Sequence, residues 1–157
     1  MNPSPLTFLN LKFFRVNIET DFTSKIKAED FDFVGATLGW SVKHGKDENN
    51  ENWWVAVGFV VTNEDAEVIC PYVIDVQALG IFSVTEQWPI ERHEQLVYEN
   101  GAALVYGAIR DMVSTITARS LPGGIMLPTP TFVGTYEEFL KQPDTSAGAK
   151  LEEDTKE

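Results

Sequence analysis

Apolar and polar residues alternate along the first half of the chain, and that alternation predicts strands. In residues 6–19, Leu9, Leu11 and Phe13 fall on one side and Asn10 and Lys12 on the other. Residues 36–44 place Trp40, Val42 and His44 together. Residues 52–62 set Trp53, Val55, Val57, Phe59 and Val61 against Trp54, Ala56, Gly58 and Val60. The segments GKDENNEN (45–52) and NEDAE (63–67), rich in Gly, Asn and charge, are turn signals between apolar runs. A fourth strand follows, and three strands joined by short polar turns predict an antiparallel meander. Between the first and second strands, DFTSKIKAEDFDF (21–33) has no clean period. It reads as a long crossing loop with Phe22, Ile26, Phe31 and Phe33 as apolar anchors.

The fourth strand has two unlike faces. Val68, Cys70, Tyr72, Ile74, Val76 and Ala78 share one and are expected against helices. Ile69, Pro71, Val73, Asp75, Gln77 and Leu79 share the other, a mixed face suited to solvent or a partner, so the acid at Asp75 is not a buried charge.

From Pro89 the period becomes helical. Ile90–Glu99 predicts a short helix with Asn100-Gly101 as its stop. A long helix follows over residues 102–120, its Ala102, Val105, Ile109, Met112 and Ile116 at core spacing. A second stripe is small: Ala103, Gly107, Ser114 and Ala118. Glycine inside a helix costs about 1 kcal/mol against alanine. Close approach of another backbone is one compensation for Gly107; packing on the chain's own sheet is the other reading of the stripe. LPGGIMLPTPTF (121–132), with three prolines and a Gly pair, is an apolar connector, and TYEEFLKQ (135–142) a short last helix. The fold class is therefore α+β: an N-terminal strand, a long crossing loop and a three-strand meander in one four-stranded antiparallel sheet, followed by a long helix and a short C-terminal helix. One domain is expected over residues 1–143, with the polar, acidic residues 144–157 as a disordered tail.

Composition narrows the partners. Twelve Lys and Arg against 24 Asp and Glu give a net charge of −12, which argues against nucleic acid. The sole cysteine, Cys70, leaves no internal disulfide or thiolate zinc cluster and fits a reducing compartment. The N-terminus does not resemble a signal peptide, and no apolar run of about 18 residues is present to span a membrane. A cytoplasmic protein is expected. Chemistry is sparse. His44 sits beside a turn and His93 among charges in ERHEQ, and both are expected to be solvated. Neither has metal-ligand spacing, and Cys70 falls on an apolar strand face as a structural thiol. The glycines form no phosphate loop. No catalytic residue, metal or cofactor is assigned, so an enzyme is the least supported class; it would need a pocket collecting His44, His93 and carboxylates. The surplus of aromatics in strands, loops and the last helix points instead to an interface or binding groove, the other reading being that they form the core and an oligomer contact.

The order of parts resembles the SecB family of export chaperones. The residues that carry the likeness are ALGIFSV (78–84), NGAALVYGAIRDMVSTITAR (100–119) and MLPTPTFVGTYEEFL (126–140), within a match over residues 6–142. The resemblance implies a homotetramer, a dimer of dimers joined largely through the long helices, with Ala103, Gly107, Ser114 and Ala118 at the contact. It implies ATP-independent capture of unfolded polypeptides in grooves between the crossing loop, the sheet and the last helix. Phe31, Phe33, Trp40, Leu127, Phe132, Tyr136, Phe139 and Leu140 are placed near such a groove. It also implies docking of the translocation ATPase SecA on the exposed sheet face, where Asp75 stands six residues before the Ile of GIF with Val73 beside it. The acidic tail KLEEDTKE does not match the family's zinc-contacting C-terminal segment. General export service and service to one dedicated client, such as the antitoxin of a toxin–antitoxin pair, are both open. So is a structural or small-ligand-binding oligomer on the same fold.

Overall fold

The structure, a computed structural model, describes residues 2–143; the expected acidic tail, 144–157, lies outside the described residues. Four strands, β1 (Leu6–Thr20), β2 (Thr37–Lys46), β3 (Trp53–Thr62) and β4 (Tyr72–Val84), form one antiparallel sheet in the order β1-β4-β3-β2. The meander is β2-β3-β4, and β1 closes on β4 across the crossing loop. Register follows the alternation: Val55, Val57, Phe59 and Val61 of β3 stand opposite Gly80, Ala78, Val76 and Ile74 of β4, all on the face that the helices cover. The opposite face of β4, from Val73 to Leu79, is half-buried, as the mixed composition implies.

Helical structure runs without a break from Ile90 to Thr117: a 3-10 turn, α1 (His93–Leu96), a π-helical turn (Val97–Gly101) and α2 (Ala102–Thr117). The expected stop at Asn100-Gly101 is absent. Gly101 has an ordinary helical φ of −62°, so it is not a left-handed cap. A Cβ there would come within 2.9 Å of Val55 Cγ2 and 3.3 Å of Phe82 Cε2. The glycine lets the helix backbone settle onto the sheet, and the π turn keeps the chain helical at that contact. The buried face of α2 is Ala102, Val105, Tyr106, Ile109, Val113 and Thr117; Met112 and Ile116, expected in it, are only half-buried.

The connector has no regular structure, yet α2 and β4 hold its backbone at several points. Tyr72 donates to the carbonyl of Gly123, Thr117 Oγ1 accepts from Ile125 N at 3.0 Å, Arg110 donates to Leu127 O and Tyr106 to Pro128 O. Thr117, the buried polar residue of the core, also donates to Val113 O, so neither role of its hydroxyl is left unmet. The last helix, α3 (Thr135–Lys141), starts after Gly134, whose φ of +83° suits glycine and whose N–H donates to Glu99 Oε1.

Candidate functional site

The crossing loop divides its four apolar anchors into two pairs. Phe31 and Phe33 turn inward, pack edge to face with ring centroids 4.8 Å apart, and join the core. Phe33 does so with a φ of +66°, a left-handed conformation unusual for an aromatic residue, held by its burial. Phe22 and Ile26 turn outward and are 78% and 39% exposed. Local hydrogen bonds fix that end of the loop: Asp21 N donates to Pro71 O, Ser24 Oγ to Ile69 O, and Asn63 Nδ2 to both Asp21 Oδ2 and Cys70 O. Hydrogen bonds from Thr23, then from Asn63, hold the Asp21 carboxyl below the usual carboxylate range.

Opposite this loop end lies the turn from α2 into the connector, with Leu121 84% exposed. Two adjoining open clefts separate the two segments. One, of about 170 Å³, is lined by Phe22, Ile26, Pro71 and Leu121. The other, of about 500 Å³, runs on past Lys25, Lys27 and Gly124. Large apolar side chains left in solvent around a concave surface are what a binding site for non-polar segments requires.

A second aromatic seam lies where β2 meets the helices. Trp40, 43% exposed, packs on Phe59, and Tyr106 bridges Phe59 and Phe132. Burial pushes the Tyr106 phenol up to about 12, so it stays a neutral donor to Pro128. Further along, His44, Tyr98, Tyr136 and Phe139 surround one another with centroids 5.1–6.5 Å apart, and this cluster seats α3. The expectation of two solvated histidines is overturned. The His44 side chain is only 6% exposed and donates to Glu94 Oε1 at 2.8 Å, a partner fifty residues away that spacing does not reveal. His93 donates to the backbone carbonyl of Trp88. Cys70 is fully buried, and that burial raises its thiol to about 11, far from a reactive thiolate.

The residues assigned to a groove from the sequence therefore separate. Phe31, Phe33 and Leu127 are core, Phe132, Tyr136 and Phe139 are half-buried in the seam, and Trp40 and Leu140 are exposed. Phe22, Ile26 and Leu121 were not among them. The crossing loop has no period to separate outward from inward anchors; the Asp21-Phe22-Thr23 turn, in which Asp21 caps the Thr23 amide, is the local signal that points Phe22 away.

On the outer sheet face, Asp75 Oδ2 accepts from Arg15 Nη1 of β1 at 2.7 Å, with Val73 half-buried nearby on β4. The small stripe does not pack on the chain's own sheet: Ala103, Gly107 and Ala118 are exposed and Ser114 half-buried. A Cβ on Gly107 would meet nothing within 4 Å. Both edges of the sheet, β1 and β2, lack a strand partner among the described residues. No described helix is long and apolar enough to cross a membrane.

No family model matches the chain, and no curated protein matches it. Among solved structures, it is similar to a SecB-like chaperone of Mycobacterium tuberculosis in complex with a ChAD peptide from the HigA1 antitoxin. The TM-score is 0.55 at 14% identity, covering 81% of this chain and 88% of that one. A protein of unknown function from Streptococcus agalactiae superposes with a TM-score of 0.48 at 13% identity, over 78% of this chain and 96% of that one. With its strand order, continuous long helix, tethered connector and short last helix, the chain has a SecB-like fold.

Proposed function

We propose that this protein is an ATP-independent chaperone that holds non-native polypeptides in extended form. The observation that carries this reading is the exposed apolar group Phe22, Ile26 and Leu121 around the two clefts. A client segment would place its apolar side chains there, while the unpartnered edge of β1, whose last residue Thr20 lines the smaller cleft, offers main-chain donors and acceptors with little sequence preference. Neither interaction needs a nucleotide or a covalent step. The test is dilution of a denatured, slow-folding protein with and without this chain, in the absence of nucleotide. Suppressed aggregation at near-stoichiometric amounts is expected; aggregation at the unassisted rate would reject general holding.

A dedicated client is the second reading. It is favoured by the neighbour of the same fold, which was solved with an antitoxin peptide bound. In that case one peptide would bind tightly while the general assay stays silent. We place the protein in the cytoplasm and propose a homotetramer, a dimer of dimers, whose dimers meet through the exposed stripe of α2.

SecA docking at Val73 and Asp75 belongs to the export form of this proposal. The Arg15–Asp75 pair is open to solvent, so it adds little stability, and a partner's cation can take the place of Arg15. Asp75→Arg sets two cations side by side on that face. It is expected to weaken SecA binding about tenfold or more, as loss of an attractive charge and gain of a repulsive one, with holding activity unchanged. Equal affinity of the variant and the parent, measured by titration, would remove Asp75 from any docking surface.

A further inference from the structure

The charge around the clefts differs from that of the chain as a whole. Net charge is −12, yet the larger cleft is lined by two lysines, Lys25 and Lys27, against one carboxylate, Glu29. Among the described residues the one ion pair between permanently charged groups is Arg15–Asp75, and the His44–Glu94 contact involves neither lysine, so neither is engaged. Arg119, two residues before Leu121, is exposed and likewise outside any ion pair. Asp21, which borders the smaller cleft, is held ionised by hydrogen bonds from Thr23 and Asn63, so the excess of cation is confined to the larger cleft. Screening confines such effects to within about 8 Å at physiological ionic strength, so a bound segment responds to these lysines more than to the distant excess of acid.

We infer that the clefts select extended polypeptide segments in which a large apolar or aromatic anchor is flanked by Asp or Glu. This rests on the reading of the clefts as the client site and names the client's chemistry. The anchor would settle among Phe22, Ile26 and Leu121, and the flanking carboxylates would lie along Lys25 and Lys27. The flanks set specificity because a basic flank would meet two unpaired cations at the rim.

The experiment uses the full chain and short unstructured peptides that share a Phe-Leu-Phe anchor and carry Asp, Ser or Lys flanks, followed by fluorescence anisotropy. Asp-flanked peptide is expected to bind roughly three- to tenfold more tightly than Lys-flanked peptide, as two exposed ion pairs would give, with the gap narrowing as salt rises. The double variant Lys25→Glu/Lys27→Glu should reverse the order. Equal binding of all three peptides, or an order that survives the double variant, overturns the charge preference and leaves the client site in place. Failure of every peptide to bind overturns both.

Discussion

Replacing Gly80 by valine is expected to lower the stability of the fold by about 3 kcal/mol, the upper part of the usual range for overpacking. Gly80 lies on β4 directly beneath α2. A Cβ there would stand 2.6 Å from Val105 Cγ2 and 2.7 Å from Phe82 Cε2. Both neighbours are fully buried, and Val105 is a β-branched helical residue with one strongly preferred rotamer, so neither can swing aside. The helix must lift, opening contacts along its whole buried face. Urea unfolding should show a midpoint lower by about 1 M or more with an unchanged slope. A midpoint equal to that of the parent would mean that the helix layer is not seated as closely as described. Gly107→Ala is the contrasting case: with open space around it, alanine should stabilise a lone protomer by up to ~1 kcal/mol. If dimers meet through that stripe, the same methyl group would also weaken the tetramer, and sedimentation velocity would show it.

The second large effect concerns holding. Phe22→Ser with Leu121→Ser is expected to leave unfolding stability within about 0.5 kcal/mol of the parent, since both side chains stand in solvent. Client capture should fall roughly tenfold or more. Burying a whole Phe or Leu side chain contributes about 1.5–3 kcal/mol, and a shallow cleft realises only part of that at each position. The measurement is the molar ratio of this protein to client that halves aggregation. An unchanged ratio would take client binding away from this end of the molecule. The paired stability measurement matters because Phe31 and Phe33, in the same loop, are core, and serine there would weaken the fold itself.

The sheet was largely legible from its alternation. Val55 to Val61 and Tyr72 to Ala78 each put every second side chain against the helices, because a strand has only two faces and one of them is covered. The helix after Pro89 was legible in type but not in extent. Asn100-Gly101 has the composition of a stop, and only the nearness of Val55 and Phe82 explains why a glycine sits in a continuing helix. The site was less legible. Aperiodic loops carry no sign of which apolar residues face inward, so Phe22 and Phe31 look alike in sequence and differ entirely in burial. His44 and Glu94 are distant along the chain and meet only because β2 lies beneath the helical run.

The pairing of β1 with β4 bears on how the chain is made. Thr20 pairs with Tyr72 and Leu6 with Val84, so the first strand has no partner until some fifty further residues have been added. At roughly 5–20 residues per second, it waits on the order of several seconds. Phe8, Leu9, Phe14 and Val16, exposed on β1 even in the finished protomer, are then presented on an unpaired strand. A protein proposed to shelter unfolded chains is therefore, while on the ribosome, the kind of chain that needs shelter. Its own nascent first strand would compete with clients for copies already made.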